Sequence, residues 1–254
     1  MRTLCGGRWI GSGLTDMSRV AIVAALEREV HPLIKGWSVR EQRHGGREFR
    51  FFENDEVVLV CGGIGEQAAR RAAEAMIAVY APAVIYSAGF SGALDPRLKI
   101  GDLVQPRVVV NAGDGSSVNL EVGTGTLVSF GSVASPAQKA KLRESYGAQA
   151  VDMEAAAVAR AAEARGVEFA VLKVISDEFD FDFPSMERFV DPAGQFSEAR
   201  FALYAALRPW LWARVARLAR NSRHASQVLC DSLGKIALNP VASVRDTGEA
   251  VNGR

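Results

Sequence analysis

Residues 149–180, QAVDMEAAAVARAAEARGVEFAVLKVISDEFD, constrain the fold more than any other stretch of this chain. An alanine-rich segment, 155–165, reads as a tightly packed helix, and Gly166 supplies its C-terminal stop. Residues 167–175 are then apolar without alternation, as in a parallel strand covered on both faces. Three acids stand at the ends of these elements. Asp152 and Glu154 precede the helix, where its dipole favours ionised carboxylates, and Asp177 follows the strand. In open α/β sheets ligands bind at the carboxyl ends of strands, so one site can collect Glu154, Ser176 and Asp177. The plain alternative is a helix-start charge and a turn residue. Lys173 interrupts the apolar strand, and a mid-strand lysine is rarely buried without a partner. Met153, between the acids, can flank a sugar or a base.

The rest of the composition narrows the class. A chain of 254 residues with 48% hydrophobic content reads as one α/β domain with a short appendage. The net charge of +1 gives no field for nucleic acid. Cys5, Cys61 and Cys230 form no CxxC and no paired framework, which fits a reducing cytoplasm. His31, His44 and His224 are too scattered for a zinc site, and no cofactor is implied. No apolar run approaches the roughly 20 residues of a spanning helix.

Residues 1–16 are glycine-rich and aperiodic, without the apolar core of a signal peptide, and are expected to be a disordered extension ahead of a start at Met17. The domain is expected over 17–206. Its first strand is 19–25, followed by a helix that stops near Pro32. Residues 48–52 and 56–61 flank Asn54-Asp55 as a hairpin. Gly62-Gly63-Ile64-Gly65 opens a helix but lacks the later acid of a dinucleotide fingerprint. Residues 88–94, AGFSGAL, read as a glycine-rich turn after a strand at 83–87, with backbone amides around Gly89 and the Ser91 hydroxyl able to face a ligand. The spacing fails for a nucleophile elbow. Strands are expected at 102–111 and 125–130, and Ser135-Pro136 starts a helix with serine as its cap. A further helix spans about 197–207, and residues 237–254 are polar and expected to be disordered.

VDMEAAAVA followed by a strand ending in SDEFD resembles the purine nucleoside phosphorylase and nucleosidase superfamily. The nearer likeness is to its methylthioadenosine/S-adenosylhomocysteine nucleosidase branch. AALEREV at 24–30, GGIGEQAA at 62–69 and AGFSGALDPRLKIGDLV at 88–104 recur in the same order. The resemblance implies a nucleoside phosphorylase-like fold, a single three-layer α/β domain with a mixed central sheet flanked by helices, and cleavage of an N-glycosidic bond in a purine nucleoside. It implies that Glu29, rather than Glu27, activates water as the general base does in inverting glycosidases. Asp177 would hydrogen-bond the base and help protonate it, and Glu154 would hold the ribose hydroxyls. Phe90 takes the place of a small hydroxyl residue, with Ser91 one step on, and Lys173 takes the place of an arginine. The loop 112–125 is shortened and lacks the aromatic that stacks on the base, a place Phe130 can fill. No counterpart of the phosphate-gripping arginine precedes residues 88–94.

Three functions remain in play at this level: a nucleosidase acting on a 5′-substituted adenosine, a phosphorylase, and a non-catalytic nucleoside-binding module. The expected partners are a small purine nucleoside and a second copy of the chain, a dimer by preference. The segment 207–236 adds a basic amphipathic tail. Its part 207–224 carries Arg208, Arg214, Arg217, Arg220 and Arg223 and no acid. Leu207, Trp210, Leu211, Val215 and Leu218 recur on it at helical spacing. Such a helix either packs on the domain or a partner, or lies peripherally on the inner face of a membrane. The resemblance extends to a hopanoid-associated branch acting on a lipid-linked adenosyl compound, which a membrane contact and a shortened loop would suit.

Overall fold

The sheet is organised around one hub strand that pairs with three others. In the computed structural model, described over residues 20–182, 186–191, 194 and 196–238, a first buried strand β1 (Val20–Ala24) leads into helix α1 (Glu27–Ile34). Strands β2 (Ser38–His44), β3 (Arg47–Glu53) and β4 (Val57–Cys61) form an antiparallel meander, and helix α2 (Glu66–Tyr80) returns the chain to the hub strand, β5 (Val84–Ala93). β5 pairs parallel with β1. Short strands β6 (Leu103–Val104), β7 (Val108–Asn111), β8 (Ser117–Asn119) and β9 (Thr126–Ser129) follow, then α3 (Pro136–Tyr146), β10 (Ala150–Asp152), α4 (Ala155–Glu163) and β11 (Glu168–Asp177). β5 pairs parallel with β11 along most of its length, and antiparallel with β10 through Gly92 and Ala93. The spatial order is β2-β3-β4-β1-β5-β10-β9-β7-β8, with β11 on β5 and β6. The mixed sheet flanked by helices that the resemblance implies is what forms.

Residues 88–93 are therefore strand and not the turn that the glycines suggest. Backbone partners on β11 continue from Val84 to Gly92 and hold the segment extended. The glycines serve the space above the strand. Gly89 sits at φ 144°, and a Cβ there would meet Glu29 Oε2 at 2.6 Å. A Cβ on Gly92 would meet Asp177 Oδ2 at 2.7 Å. Any side chain at either place would displace an acid.

Pro32 also differs from expectation, since α1 runs through it to Ile34. Proline leaves the carbonyl four residues back without its helical donor, here that of Arg28. The Ser226 hydroxyl donates to that carbonyl at 3.4 Å, so a side chain from a distant helix helps carry α1 past the proline.

That distant helix, α6 (Trp212–Leu238), follows α5 (Glu198–Ala206) and a 3₁₀ turn at Pro209–Leu211. Its second half is core. Ala225, Leu229 and Leu233 are fully buried at four-residue spacing and pack with α1, β5 and β11 residues such as Val30, Tyr86 and Leu172. Each buried leucine contributes about 1.5–3 kcal/mol. The segment expected as an appended tail thus carries one of the two helical layers, and α2 with α4 forms the other. The expected stripe on its first half divides: Leu211 is buried, while Leu207 and Trp210 face solvent. Pro209 explains the split, because the helix restarts beyond it and loses register with the preceding residues. The expected extensions 1–16 and 237–254 lie outside the described residues, apart from Ala237 and Leu238, which end α6.

Candidate active site

A cavity of about 1190 Å³ opens where β1, β5, β10 and β11 end. Glu29 enters it from the first turn of α1, placed there because β1 stops at Ala24 and the helix begins at once. Glu29 is 5% exposed, and among the described residues its Oε2 has no hydrogen-bond partner. Burial pushes its pKa up to about 7, and the nearby Glu154 charge adds to the rise. Lys173, Arg28 and the Phe90 N–H only partly oppose it.

Glu154 sits where β10 passes into α4. Its Oε1 accepts from the Gly65 N–H at 2.9 Å and its Oε2 from the Met153 N–H at 3.2 Å. Its pKa is raised, chiefly by burial, with Lys173 opposing and Asp152 reinforcing. Ready ionisation at a helix start was the expectation; removal from water outweighs the dipole here. Asp152 has a different task. It accepts from Ser129 Oγ at 2.6 Å and from the Ala155 N–H at 2.8 Å, while the Ala156 N–H donates to Ser129 Oγ. Two first-turn donors of α4 are thereby satisfied.

Lys173, fully buried on β11, has the partner that its place in an apolar strand demands. Its Nζ lies 2.9 Å from Asp152 Oδ2 and 4.0 Å from Glu154 Oε2. Burial alone would lower its pKa, but the surrounding acids raise it, so the ammonium is held charged. Lys173 and Gly89 form the floor behind Glu29 and do not line the cavity.

At the other side of the polar end, Asp177 follows a register shift at the close of β11. Its Oδ1 accepts from Ser176 Oγ at 2.9 Å, and Oδ2 contacts Lys139 Nζ at 2.5 Å. Ser91 Oγ donates to the Val174 carbonyl and Ser176 Oγ approaches the Ser91 carbonyl, both at 3.4 Å. Phe90, Ser91, Met153, Ser176 and Asp177 all line the cavity with Glu29 and Glu154. Phe130 does not. It packs against the cluster of Leu94, Val128, Ala134 and Leu142, and its N–H donates to the Asp152 carbonyl, which turns it from the cavity.

Sequence reasoning missed Lys139, which lies in the first turn and a half of α3. Ser135 and Gln138 form a capping box that starts this helix where expected, and Lys139 points under its N-terminus toward β11. Nothing in the sequence distinguishes it from Lys141 two places on. The apolar end of the cavity was missed as well. Phe196, Phe201, Val215 and Leu218 line it, and Arg28 stacks over the Phe196 ring at 4.7 Å.

Comparison with known proteins places this architecture. The chain is 26% identical over 208 residues to the aminodeoxyfutalosine nucleosidase of Campylobacter jejuni, covering 65% of this chain and 91% of the relative. It is 26% identical over 196 residues to a 5′-methylthioadenosine/S-adenosylhomocysteine nucleosidase of Staphylococcus aureus, covering 62% and 86%. The fold matches the 5′-methylthioadenosine nucleosidase of Arabidopsis thaliana with a TM-score of 0.66 at 19% identity, over 91% of this chain and 97% of that one. The 5′-methylthioadenosine/S-adenosylhomocysteine nucleosidase of Neisseria meningitidis matches with a TM-score of 0.63 at 19% identity, over 86% and 98%. These likenesses give the sheet its fold, a nucleoside phosphorylase-like one. The phosphorylase superfamily model matches residues 19–122 and 112–207, the stretch that supplies every acid and lysine of the polar end, and the chain belongs to that superfamily.

Proposed function

We propose that the protein is a nucleosidase that hydrolyses the N-glycosidic bond of a 5′-substituted adenosine and releases adenine. One observation carries this reading: a buried carboxyl, that of Glu29, with an unpartnered oxygen and poised near neutrality, shares a cavity with Glu154 and Asp177. A general base works best when its pKa lies near the working pH, and Glu29 is the group so placed. It takes a proton from water as the oxygen bonds to C1′. Glu154, fixed by two backbone donors, holds the ribose hydroxyls and steadies the positive charge that grows on the sugar. Ser176 and Asp177 meet the purine, and Met153 flanks the sugar. Two cations near Glu29 are already engaged, Lys173 by Asp152 and Arg28 by the Phe196 ring, which favours water over phosphate as the nucleophile.

The 5′ group is large and apolar. A cavity of about 1190 Å³ exceeds what a nucleoside needs, and its surplus is walled by Phe201, Val215 and Leu218. Four of the seven exposed large hydrophobics among the described residues, Leu203, Leu207, Trp210 and Trp212, fall in the chain between the cavity-lining Phe201 and Val215. With five arginines in 208–223 this is the composition of a surface that rests on anionic lipid, from which a lipid-linked adenosyl compound of the hopanoid-associated kind is drawn. Among the described residues no helix is long and apolar enough to cross a membrane. The protein works at the cytoplasmic face, as a homodimer.

The test is a panel of adenosines with 5′ groups from hydroxyl and methylthio to long alkyl, each with and without phosphate, with adenine release as readout. Release independent of phosphate and fastest for the long alkyl group is the expected result. Strict phosphate dependence would make the protein a phosphorylase.

A further inference from the structure

We infer that Lys139, rather than the Asp177 carboxyl, donates the proton that the departing purine takes up. This rests on the nucleosidase reading and assigns a residue within it. Lys139 is 1% exposed and lines the cavity from the start of α3, beside Ser135 and Gln138. Its Nζ donates to Asp177 Oδ2 at 2.5 Å and to the Glu178 carbonyl at 2.6 Å. An ammonium carries three donors, so one remains beyond these two bonds. An ionised carboxylate has none to give. As an ion pair, then, Asp177 and Lys139 present one acceptor and one donor side by side, the complement of an exocyclic amine next to N7. Gly92 keeps the pair accessible, because a Cβ there would stand 2.7 Å from Asp177 Oδ2 and 3.3 Å from Lys139 Nζ.

The step balances. The C1′–N9 bond breaks with its electron pair going to the base, a proton moves from Lys139 Nζ to N7, and adenine leaves neutral. Water bonds to C1′ and its proton goes to Glu29. Lys139 ends as an amine and Glu29 as an acid, and solvent returns both to their starting state. Asp177 reads the exocyclic amine and holds Lys139 in place.

A substrate whose leaving group departs as a stable anion needs no such proton, and that separates donation from mere support. Lys139→Ala and Lys139→Gln are compared with wild type on a 5′-substituted adenosine and on 4-nitrophenyl β-riboside, with and without added methylammonium. The expected result is a loss of about 10²–10³-fold in kcat on the adenosine for both variants, in the range of a general acid. The loss on the nitrophenyl riboside should stay under threefold, and methylammonium should restore part of the adenosine activity of Lys139→Ala. Unchanged adenosine cleavage in either variant overturns the assignment. So does an equal loss on both substrates without rescue, which would make Lys139 a strut between α3 and β11. A wild-type protein that cleaves neither substrate would sink the nucleosidase reading itself, a result distinct from the other two.

Discussion

The two ends of the cavity are built by opposite means. The polar end is made where strands stop: Glu29, Glu154 and Asp177 each stand within a few residues of the end of a buried strand, and backbone donors or lysines hold the last two. The apolar end is made by α6 and the segment before it, from side chains that no named strand carries. Strand ends are positioned by ladders of hydrogen bonds and tolerate little displacement, which suits bond cleavage. A helix face offers area without fixed direction, which suits a greasy substituent. Chemistry and substrate choice are therefore separable by mutation.

The largest effect should come from the base. Glu29→Gln should lower kcat by 10³-fold or more while leaving nucleoside binding measurable by calorimetry, because the carboxylate acts on water and not on the purine. Near-wild-type turnover would mean the wrong acid has been named. Asp177→Asn comes next, with a fall of about 10²-fold on adenosine-type substrates and weaker discrimination against 6-oxo purines, since an amide donates where a carboxylate accepts. Unchanged rate and preference would remove Asp177 from the base.

At the apolar end, a combined Val215→Ser and Leu218→Ser change should raise KM for the long-alkyl adenosine about tenfold. It should leave kcat and the methylthio substrate nearly alone, as expected for lost apolar contact worth about 1–3 kcal/mol. An equal effect on both substrates would deny that this end reads the 5′ group.

The pH dependence sharpens the contrast. kcat/KM should rise about tenfold per pH unit below about 7 and then level, as Glu29 loses its proton. Stability runs the other way. The folded pKa of Glu29 lies above its ordinary 4.5, so the folded state binds the extra proton between these values. That stabilisation is complete below pH 4.5 and is lost as pH rises through about 7, of order 3 kcal/mol in all. Urea titrations of wild type and Glu29→Gln across this window measure it, and identical pH slopes for the two would contradict the assignment.

The smallest effect concerns the surface. Trp210→Ser with Trp212→Ser should reduce co-sedimentation with anionic liposomes several-fold and leave soluble substrates untouched. Truncation at Ala206 is the poorer test, because it also strips Leu229 and Leu233 from the core. Equal, negligible pelleting of wild type and variant would remove the membrane contact and spare the chemistry.

What the sequence by itself determined is local. Uninterrupted apolar runs, alanine-rich helical stretches and the Ser135 cap mark elements by their own periodicity, and acids at the junctions follow from that spacing. The motif order then carried the superfamily. What only the tertiary structure decided are pairings between distant residues. β5 runs on through Gly89 and Gly92 because β11 supplies its hydrogen bonds, something no neighbouring residue announces. Phe130 packs against Leu94, Val128, Ala134 and Leu142 instead of lining the cavity, a contact between residues distant in the chain. Lys139 reads as one more solvated lysine until β11 brings Asp177 to within 2.5 Å, and the basic helix reads as a tail until α1 and β11 bury its second half. Periodicity reports which face of an element is apolar; it carries no information on which other element will cover that face, because that choice is made by contacts between parts of the chain far apart in sequence.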